Sequence, residues 1–495
     1  MSGFECSEVP SNGPDLWSRP LFSQDSNSNL DVTNLWALYP MKIRFHSFVW
    51  RVAAVILVAV APALAGEFEQ GLAAFNRGDY EAALAAWMPL AETGDLNAMY
   101  NVGLLYDEGL GVDVDKKTAL RWYLLPAEEG DVSAQFNVAM IYDFGDGIPE
   151  DNAKAVYWYT QAANQADEQA QFNLAVMYAT GEGVAADMQA AIRWYRLSAD
   201  QGHAPAQYNL AYIYDTGESV PEDNQLAMDW YLKAAAQGDH DAEYAIALMY
   251  DEGDGFIEDD VEAMRWYKKS AAHGNLRAQF NLAIMYDVGE GVPENDELAI
   301  KWYTAAAEQG HLQAQVNLGI MYEKGEGTAV NHEAAMKWYQ EAADQGSSDA
   351  QYALALIYDE GIGIPEDNAA ALKWYAKAAV AGDAMAQNNL GAMYDSGEGT
   401  PIDDEKAVYW YSLAADQGNS IAQNNLGAMY FTGEGTKESK TEAYKWFYIA
   451  GELGNVNALD NRELVARGMR KSDLRKATKQ ANQWLKKFNA ASPDL

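Results

Sequence analysis

Tryptophan–aromatic pairs recur every 36 residues along most of this chain. Tyr follows each Trp except the last, which is followed by Phe447, and ten further tyrosines from Tyr106 to Tyr430 keep the same spacing. The tryptophans of the series are Trp122, Trp158, Trp194, Trp230, Trp266, Trp302, Trp338, Trp374, Trp410 and Trp446. A fixed period of this length predicts a solenoid of stacked units, and it disfavours most enzyme folds.

Each period predicts two helices joined by a turn. In residues 130–165, Ala134, Val138 and Ile141 recur at helical spacing and predict a first helix over about 133–142. The apolar face of the second helix is formed by Ala155, Trp158, Tyr159, Ala162 and Ala163. Because no unit can bury its apolar face alone, the units must stack, and the predicted fold class is all-α.

Side chains suited to capping a helix precede every second helix. Gly145 and Gly147 supply the backbone freedom that the turn after the first helix needs. The capping position is held by Asp115, Asp151, Asp187, Asp223, Asp259, Asn295, Asn331, Asp367, Asp403 and Ser439. Each of these can accept a hydrogen bond from the N–H groups of the first helical turn, so the sequence predicts ten N-caps in one register.

The repeats divide the chain into segments. Ten 36-residue units cover 94–453, a shorter opening unit that contains Trp87 covers 66–93, and 454–495 is predicted to hold closing helices and a tail. Closing units of this kind stop a solenoid from associating end to end. Residues 1–40 are polar and rich in Ser and Asn, and we interpret them as a non-native or disordered extension.

Residues 41–65 have the pattern of a secretory signal peptide. Three basic residues accompany an apolar run over 52–61 that is too short to cross a bilayer. Small residues at Ala63 and Ala65 suit cleavage after Ala65. The alternative is an uncleaved anchor. The pattern predicts a periplasmic or secreted protein with no stable membrane span after cleavage.

The repeated motif resembles the Sel1-like repeat. It reads AQVNLGIMYEKGEG at 314–327 and AQNNLGAMYDSGEG at 386–399, each followed by Ala-x-x-Trp-Tyr-x-x-Ala-Ala. The resemblance implies a right-handed α/α superhelical solenoid of helix–turn–helix repeats that holds proteins together, with a tetratricopeptide-like cap at 66–93. Secreted bacterial members of this family act as envelope scaffolds, as periplasmic regulators of sensor proteins, or in contact with host cells.

The charge balance narrows the choice of partner. The chain has 34 Lys and Arg against 73 Asp and Glu, a formal net charge of −39. Such a field repels nucleic acid and anionic lipid and favours basic partners. The single cysteine, Cys6, lies outside the repeats, so no disulfide framework can form within one chain.

The sequence offers no catalytic constellation. It contains no Ser-x-x-Lys, no His-Glu-x-x-His, no P-loop and no dinucleotide fingerprint. Histidines at the inter-repeat turns are scattered along the period, at His203, His240, His273 and His311. The acidic segment 251–260 does not match the spacing of a calcium-binding EF-hand loop and predicts a solvated turn. We therefore expect no enzyme activity, no cofactor and no metal site.

Two rows on the first helix are candidates for binding. One is the row of Asn101, Asn137, Asn173, Asn209, Asn281, Asn317, Asn389 and Asn425, with Ala245 and Ala353 in the remaining two repeats. Asn is unfavourable within a helix, so a specific contact must retain it. The row could hydrogen-bond a neighbouring turn's backbone and fix the stacking, or it could form an amide ladder that grips an extended peptide.

The residue before each Asn changes from aromatic to polar along the chain. The row reads Tyr100, Phe136, Phe172, Tyr208, Tyr244, Phe280, Val316, Tyr352, Asn388 and Asn424. An internal core position should not tolerate Asn388 and Asn424 so easily. We therefore predict that Phe136, Phe172, Tyr208, Tyr244, Phe280 and Tyr352 line a groove on the concave face. The alternative is partial burial between adjacent first helices.

These observations predict a non-enzymatic scaffold or regulator in the bacterial cell envelope. It would bind a protein or peptide on the concave face of the solenoid. Two alternatives remain: a protein that binds or modifies the cell wall, with peptidoglycan as a glycan partner, and a secreted host-interaction factor.

Overall fold

The computed structural model describes residues 62–217 and 219–491, which form 24 helices and no strands. They fall into two compact units, 62–275 and 276–491. The helices of the first unit are α1 (Pro62–Asn76), α2 (Tyr80–Glu92), α3 (Leu96–Glu108), α4 (Lys116–Glu128), α5 (Val132–Phe144), α6 (Asn152–Asn164), α7 (Glu168–Thr180), α8 (Met188–Asp200), α9 (Ala204–Thr216), α10 (Asn224–Ala235), α11 (His240–Asp251) and α12 (Asp260–Ala272). Those of the second are α13 (Leu276–Val288), α14 (Asp296–Glu308), α15 (Leu312–Lys324), α16 (His332–Asp344), α17 (Ser348–Glu360), α18 (Asn368–Val380), α19 (Ala384–Ser396), α20 (Asp404–Asp416), α21 (Ser420–Thr432), α22 (Lys440–Glu452), α23 (Val456–Arg467) and α24 (Lys471–Ala491).

Within each unit, every helix up to α22 packs on the helix that follows it in the chain, and α24 packs back on α22. The two helices of one repeat make the larger contact, and the second helix then meets the first helix of the next repeat. This arrangement confirms the predicted all-α solenoid of helix–turn–helix repeats. The first helix of the sample repeat is longer than predicted, because α5 begins at Val132 and ends at Phe144.

All ten predicted N-caps of the second helices are confirmed. Each side chain accepts a hydrogen bond from the backbone N–H three residues later, as Oδ1 of Asp151 does from Lys154 at 3.1 Å. The other nine members of the row make the same contact. An N-cap of this kind is worth about 1 kcal/mol, so the row stabilises ten helix starts in one register.

The turns show why glycine recurs. Gly145 ends α5 in the left-handed region, with φ of 65°. Ala166 stands where other repeats have the closing glycine and adopts φ of 66°, and it is the sole non-glycine residue with positive φ in the described chain. A side chain in this region costs roughly 1–2 kcal/mol, so the turn after α6 is strained.

The tyrosines of the Trp–Tyr pairs are more deeply buried than the tryptophans. Tyr159, Tyr195 and Tyr375 are fully buried, whereas Trp194 and Trp302 are half-buried. Lysines on the second helices cover several of the indole rings, as Nζ of Lys233 does at 3.5 Å from the centre of the Trp230 ring. Each repeat therefore has its Tyr at the centre of the core and its Trp nearer to solvent.

The closing helices pack on the last repeat. Ala477 and Ala481 of α24 are fully buried, and the Trp484 ring meets Trp446 edge-on at 6.0 Å. Among residues 62–217 and 219–491, none of the helices is both long enough and apolar enough to cross a membrane. The predicted signal peptide lies outside the described residues except for 62–65, which begin α1.

Candidate binding surface

The predicted aromatic row packs against the second helix of its own repeat. Each of the six rings meets the tyrosine 23 residues later, with ring centres 5.6–5.9 Å apart. Phe136, Phe172 and Tyr352 are buried, while Tyr208, Tyr244 and Phe280 are half-buried. Two rings also touch a histidine of the next inter-repeat turn, and Phe280 stacks on His311 at 4.2 Å. The six residues therefore lie at the boundary between core and surface.

A second row on the first helices is turned more towards solvent. It lies three residues after the Asn row, and its members are half-buried except for Ile320, which is buried. We call this row the apolar stripe. In the first unit it consists of Leu104, Met140, Val176, Tyr212 and Leu248, and in the second of Ile284, Ile320, Leu356, Ala392 and Ala428. This row was not predicted from the sequence, although an apolar residue recurs at this position in every period.

In the last two repeats, both rows contain smaller or polar residues instead of large apolar ones. The stripe ends in Ala392 and Ala428, and the aromatic row ends in Asn388 and Asn424. These two asparagines are buried. The Asn388 carbonyl accepts a hydrogen bond from Asn425 of the next repeat, and the Asn424 carbonyl accepts one from Asn461 of the closing helix α23. Large apolar side chains on this face are thus confined to the repeats before residue 384, and polar amides replace them afterwards.

The Asn row contacts tyrosine hydroxyls. Nδ2 of Asn389 donates to the hydroxyl of Tyr375 in the preceding repeat at 3.1 Å, and Asn209 makes the same contact with Tyr195 at 3.4 Å. The amide also meets this hydroxyl in the pairs Asn137–Tyr123, Asn173–Tyr159 and Asn317–Tyr303. At these five positions the amide joins two consecutive repeats, and its partner is a tyrosine hydroxyl instead of the backbone of a neighbouring turn. The row also lies beside the apolar stripe, where several of its members stay half-exposed.

The same tyrosine hydroxyls donate to an acid of their own first helix. The donor–acceptor distances run from 2.7 Å for Tyr339 and Glu323 to 3.3 Å for Tyr411 and Asp395. The pairs in the other repeats are Tyr123–Asp107, Tyr159–Asp143, Tyr231–Asp215, Tyr267–Asp251, Tyr303–Asp287 and Tyr375–Asp359. Burial raises the pKa of six of these tyrosines well above the usual range, so the neutral hydroxyl donates to the carboxylate. The six are Tyr123, Tyr159, Tyr231, Tyr303, Tyr339 and Tyr375.

Two repeats depart from this pairing in an informative way. Phe447 lacks the hydroxyl, and the position of its acid is held by Phe431, which packs in the same apolar cluster. Tyr195 keeps its hydroxyl, but Ala179 replaces the acid. The first case shows that acid and hydroxyl are lost together without leaving a buried polar group alone.

Paired glutamines link consecutive repeats on the other side of the first helix. Gln315 donates to the Ala307 carbonyl at 3.1 Å and accepts from Gln345 at 2.8 Å. In one repeat both members change together: Glu243 is 3 % exposed and its Oε2 lies 2.8 Å from Nδ1 of His273. A contact between a buried acid and an imidazole can thus replace an amide pair at this position.

The acids of the first helices form a negative border along the turns. Burial raises the pKa of Asp215 to about 6, and the neighbouring carboxylates of Asp254, Glu222 and Glu252 raise it further. Burial likewise raises the pKa of Asp251, Asp287, Glu323 and Asp359. These carboxylates make the surface attractive to positive charge.

The histidines do not assemble a site. His203 and His311 are N-caps of first helices, and burial lowers the pKa of both, to about 4 for His203. Among the described residues, no group of three or more His, Cys, Asp or Glu side chains is arranged to hold a metal ion. Nδ1 of His311 accepts a hydrogen bond from the Ala314 N–H at 3.2 Å, whereas the His203 side chain makes no capping hydrogen bond.

A family model described as the Sel1 repeat matches the chain ten times in succession. The matched units are 96–131, 132–167, 168–203, 204–239, 240–275, 276–311, 312–347, 348–383, 384–419 and 420–455. Each begins at or beside the start of a first helix, two residues later than the units read from the sequence. Sel1-repeat proteins are commonly protein-interaction scaffolds and are typically non-catalytic. The search of curated proteins found no match.

Solved structures agree with this match. The chain is 33% identical to c5321, described as a protective antigen present in uropathogenic Escherichia coli strains and displaying an SLR fold. That likeness covers 82% of this chain and 95% of the other, with a TM-score of 0.58. It is also 33% identical to a Sel1 repeat protein from Oxalobacter formigenes, over 61% of this chain and 89% of the other, with a TM-score of 0.50. The chain belongs to the Sel1 repeat family.

Proposed function

We propose that the chain is a non-enzymatic scaffold or regulator of the bacterial cell envelope. It binds a segment of a partner protein along the first helices of its repeats. The apolar stripe carries this proposal, because a half-exposed apolar side chain recurs on the same helix face in repeat after repeat. Apolar anchors of this kind dominate the binding energy of protein interfaces.

The polar neighbours of the stripe supply orientation. In six repeats a half-exposed amide of the Asn row lies three residues before the stripe residue, and it can pair with backbone groups of a bound segment. These amides are Asn101, Asn137, Asn173, Asn209, Asn281 and Asn425. Exposed acids end several first helices, at Glu108, Glu252 and Glu360. They favour a partner segment that carries Lys or Arg and speed its approach. The aromatic row, with Tyr208, Tyr244 and Phe280 half-buried, forms the edge of this surface.

The location rests on the signal-peptide pattern at 41–65. A second candidate, a secreted factor that meets host cells, is favoured by one observation: the similar c5321 is described as a protective antigen. An antigen that protects must be accessible to the immune system of the host. Neither the comparisons nor the described residues support a cell-wall glycan as the partner.

A pull-down from envelope extract tests the proposal. The bait is the chain from Gly66, and the stripe variant is Tyr212→Ser with Leu248→Ser. The control is Leu197→Ser with Val380→Ser, two exposed apolar residues of second helices, 48% and 78% exposed. We expect a protein that wild type and control capture and the stripe variant loses. Capture that is equal for all three baits would contradict the proposed surface.

A further inference from the structure

The last helix carries a basic face in a chain that is otherwise acidic. Residues 455–491 contain nine Lys or Arg against three Asp or Glu, although the whole chain has a net charge of −39. The exposed basic residues of α24 are Lys471, Arg475, Lys476, Lys479, Lys486 and Lys487. The sign of the surface charge is therefore reversed at this end of the chain.

The exposed face of α24 presents this charge away from the repeats. One side of the helix packs on α22 through Ala477 and Ala481. The opposite side presents Arg475, Lys479 and Lys486, with Leu474, Thr478, Asn482 and Gln483 between them. Leu474 and Thr478 are half-buried while the three cations are exposed. This basic face suits a protruding element that carries negative charge.

The chain itself presents such an element. The turn from α11 to α12 contains Glu252, Asp254 and Glu258, all exposed, next to half-buried Asp251. None of these four acids forms an ion pair with a Lys, Arg or His among the described residues. Burial raises the pKa of Asp251, and the nearby carboxylates raise it further. The negative charge of this turn is uncompensated.

We propose that the basic face of α24 binds the acidic turn 251–258 of a second copy of the chain. At a contact, only charges within a Debye length of roughly 8–10 Å act strongly, so the local attraction operates despite the like net charge of the two copies. A flat anionic membrane fits less well, because it would also face the acidic repeats. The two surfaces differ, so the contact is heterologous and builds rings or open chains. It uses neither the apolar stripe nor the aromatic row.

Sedimentation velocity on the full chain tests this contact. At low salt, near 20 mM, we expect association that rises with protein concentration, and its constant should fall at least about tenfold at 300 mM salt. Lys479→Glu with Lys486→Glu should abolish association, and so should Asp254→Lys with Glu258→Lys. The variant that combines all four changes should associate again, because the charges are exchanged.

A control separates this contact from the general effect of net charge. Arg121→Glu with Lys373→Glu changes the net charge as much as the α24 variant does, on exposed positions of α4 and α18, and should leave association intact. Circular dichroism confirms that each variant is folded. A chain that stays monomeric at low salt, or a four-site variant that fails to associate, would overturn the proposal. So would wild type that stays monomeric but binds vesicles of anionic lipid.

Discussion

The hydroxyl of Tyr375 lies 2.9 Å from Oδ2 of Asp359, on the first helix of its own repeat. The same hydroxyl accepts from Asn389 of the next repeat at 3.1 Å. One fully buried tyrosine thus joins three consecutive helices, α17, α18 and α19. Hydrogen bonds to charged groups contribute about 1.5–3 kcal/mol, so the contact stabilises both the repeat and its stacking on the next one.

The chain contains a matched control for this contact. Tyr375→Phe removes the bonds to Asp359 and Asn389, whereas Tyr195→Phe removes the bond to Asn209 alone, since residue 179 is Ala. We expect Tyr375→Phe to lower the free energy of unfolding by about 1–3 kcal/mol and Tyr195→Phe by less. Urea denaturation followed by circular dichroism measures both. Equal losses would mean that the acid contributes nothing.

The buried acids predict that the solenoid gains stability from mild acid. Burial raises the folded-state pKa of Asp215 from 3.8 to about 6, so the protonated form is favoured in the folded chain. The contribution is fully present below pH 3.8 and is lost as the pH rises through about 6. Asp215→Asn keeps a neutral acceptor for the Tyr231 hydroxyl. We expect it to stabilise the chain on the order of 2 kcal/mol at pH 7 and not at pH 4.

Thermal melts at the two pH values measure this difference. Asp200→Asn, at an exposed position of α8, is the control and should not change with pH in this way. His203 acts in the opposite direction: burial lowers its pKa to about 4, so its contribution is lost as the pH falls from 6.5 through 4. The comparison of Asp215→Asn with wild type at each pH removes the histidine from the result. A gain that is equal at both pH values would contradict the assignment to Asp215.

The contact between Glu243 and His273 predicts that a second substitution can recover the stability lost when His273 is replaced. His273→Ala leaves a carboxylate of 3 % exposure without its imidazole partner and should cost about 1–3 kcal/mol. Adding Glu243→Gln should restore most of the lost free energy of unfolding. A Gln paired with an Ala already occupies the equivalent two positions in another repeat of the chain. Gln351 faces Ala381 at the same spacing and still donates to the Ala343 carbonyl at 3.2 Å. Chemical denaturation of the single and double variants is the measurement, and no recovery in the double variant would contradict this view.

The sequence predicts the helices and their starts because those depend on local periodicity and capping. Gly145, the ten N-caps and the buried Tyr159 all follow from spacing within a single repeat. The hydroxyl contacts do not, because their partners are 14 and 16 residues away on other helices. That Phe431 and Phe447 change together is the one trace of these contacts in the sequence, and it is readable only when the pair is known.

The 36-residue spacing also does not predict which side of the first helix faces solvent. Successive helical residues differ by about 100° around the axis, so the row before each Asn and the row three after it, four residues apart, lie only about 40° apart on one side of the helix. The structure turns Phe136 onto Tyr159 and leaves Met140 half-exposed. A repeat pattern tells which positions are equivalent, but the packing of the second helix decides which of them face solvent.

Export gives a direct prediction. Ala65 lies in the first turns of α1, and the signal-peptide pattern predicts cleavage between Ala65 and Gly66. The N-terminal sequence of the protein recovered from the envelope or the medium should therefore begin at Gly66. Edman or mass-spectrometric sequencing decides this, and a product that begins at Met1 or Met41 would contradict both the cleavage site and the location.

The stability of substituted variants shows whether the aromatic row belongs to the core or to the binding surface. Trp230 is 4 % exposed, and its replacement by Ala should cost about 3–5 kcal/mol. Tyr208 and Tyr244 are half-buried and keep one face on Tyr231 and Tyr267. Replacing both by Ala should weaken binding of the captured partner by about 2 kcal/mol, while the helices survive.

Titration calorimetry with the captured partner and thermal melts of each variant provide the two readouts. Tyr208→Phe with Tyr244→Phe keeps both rings and is the matched control for the loss of aromatic surface. If Tyr208→Ala with Tyr244→Ala melts the solenoid as badly as Trp230→Ala, then the aromatic row belongs to the core. The partner would then bind through the apolar stripe without it, and Tyr212→Ser with Leu248→Ser would remain the variant that removes binding.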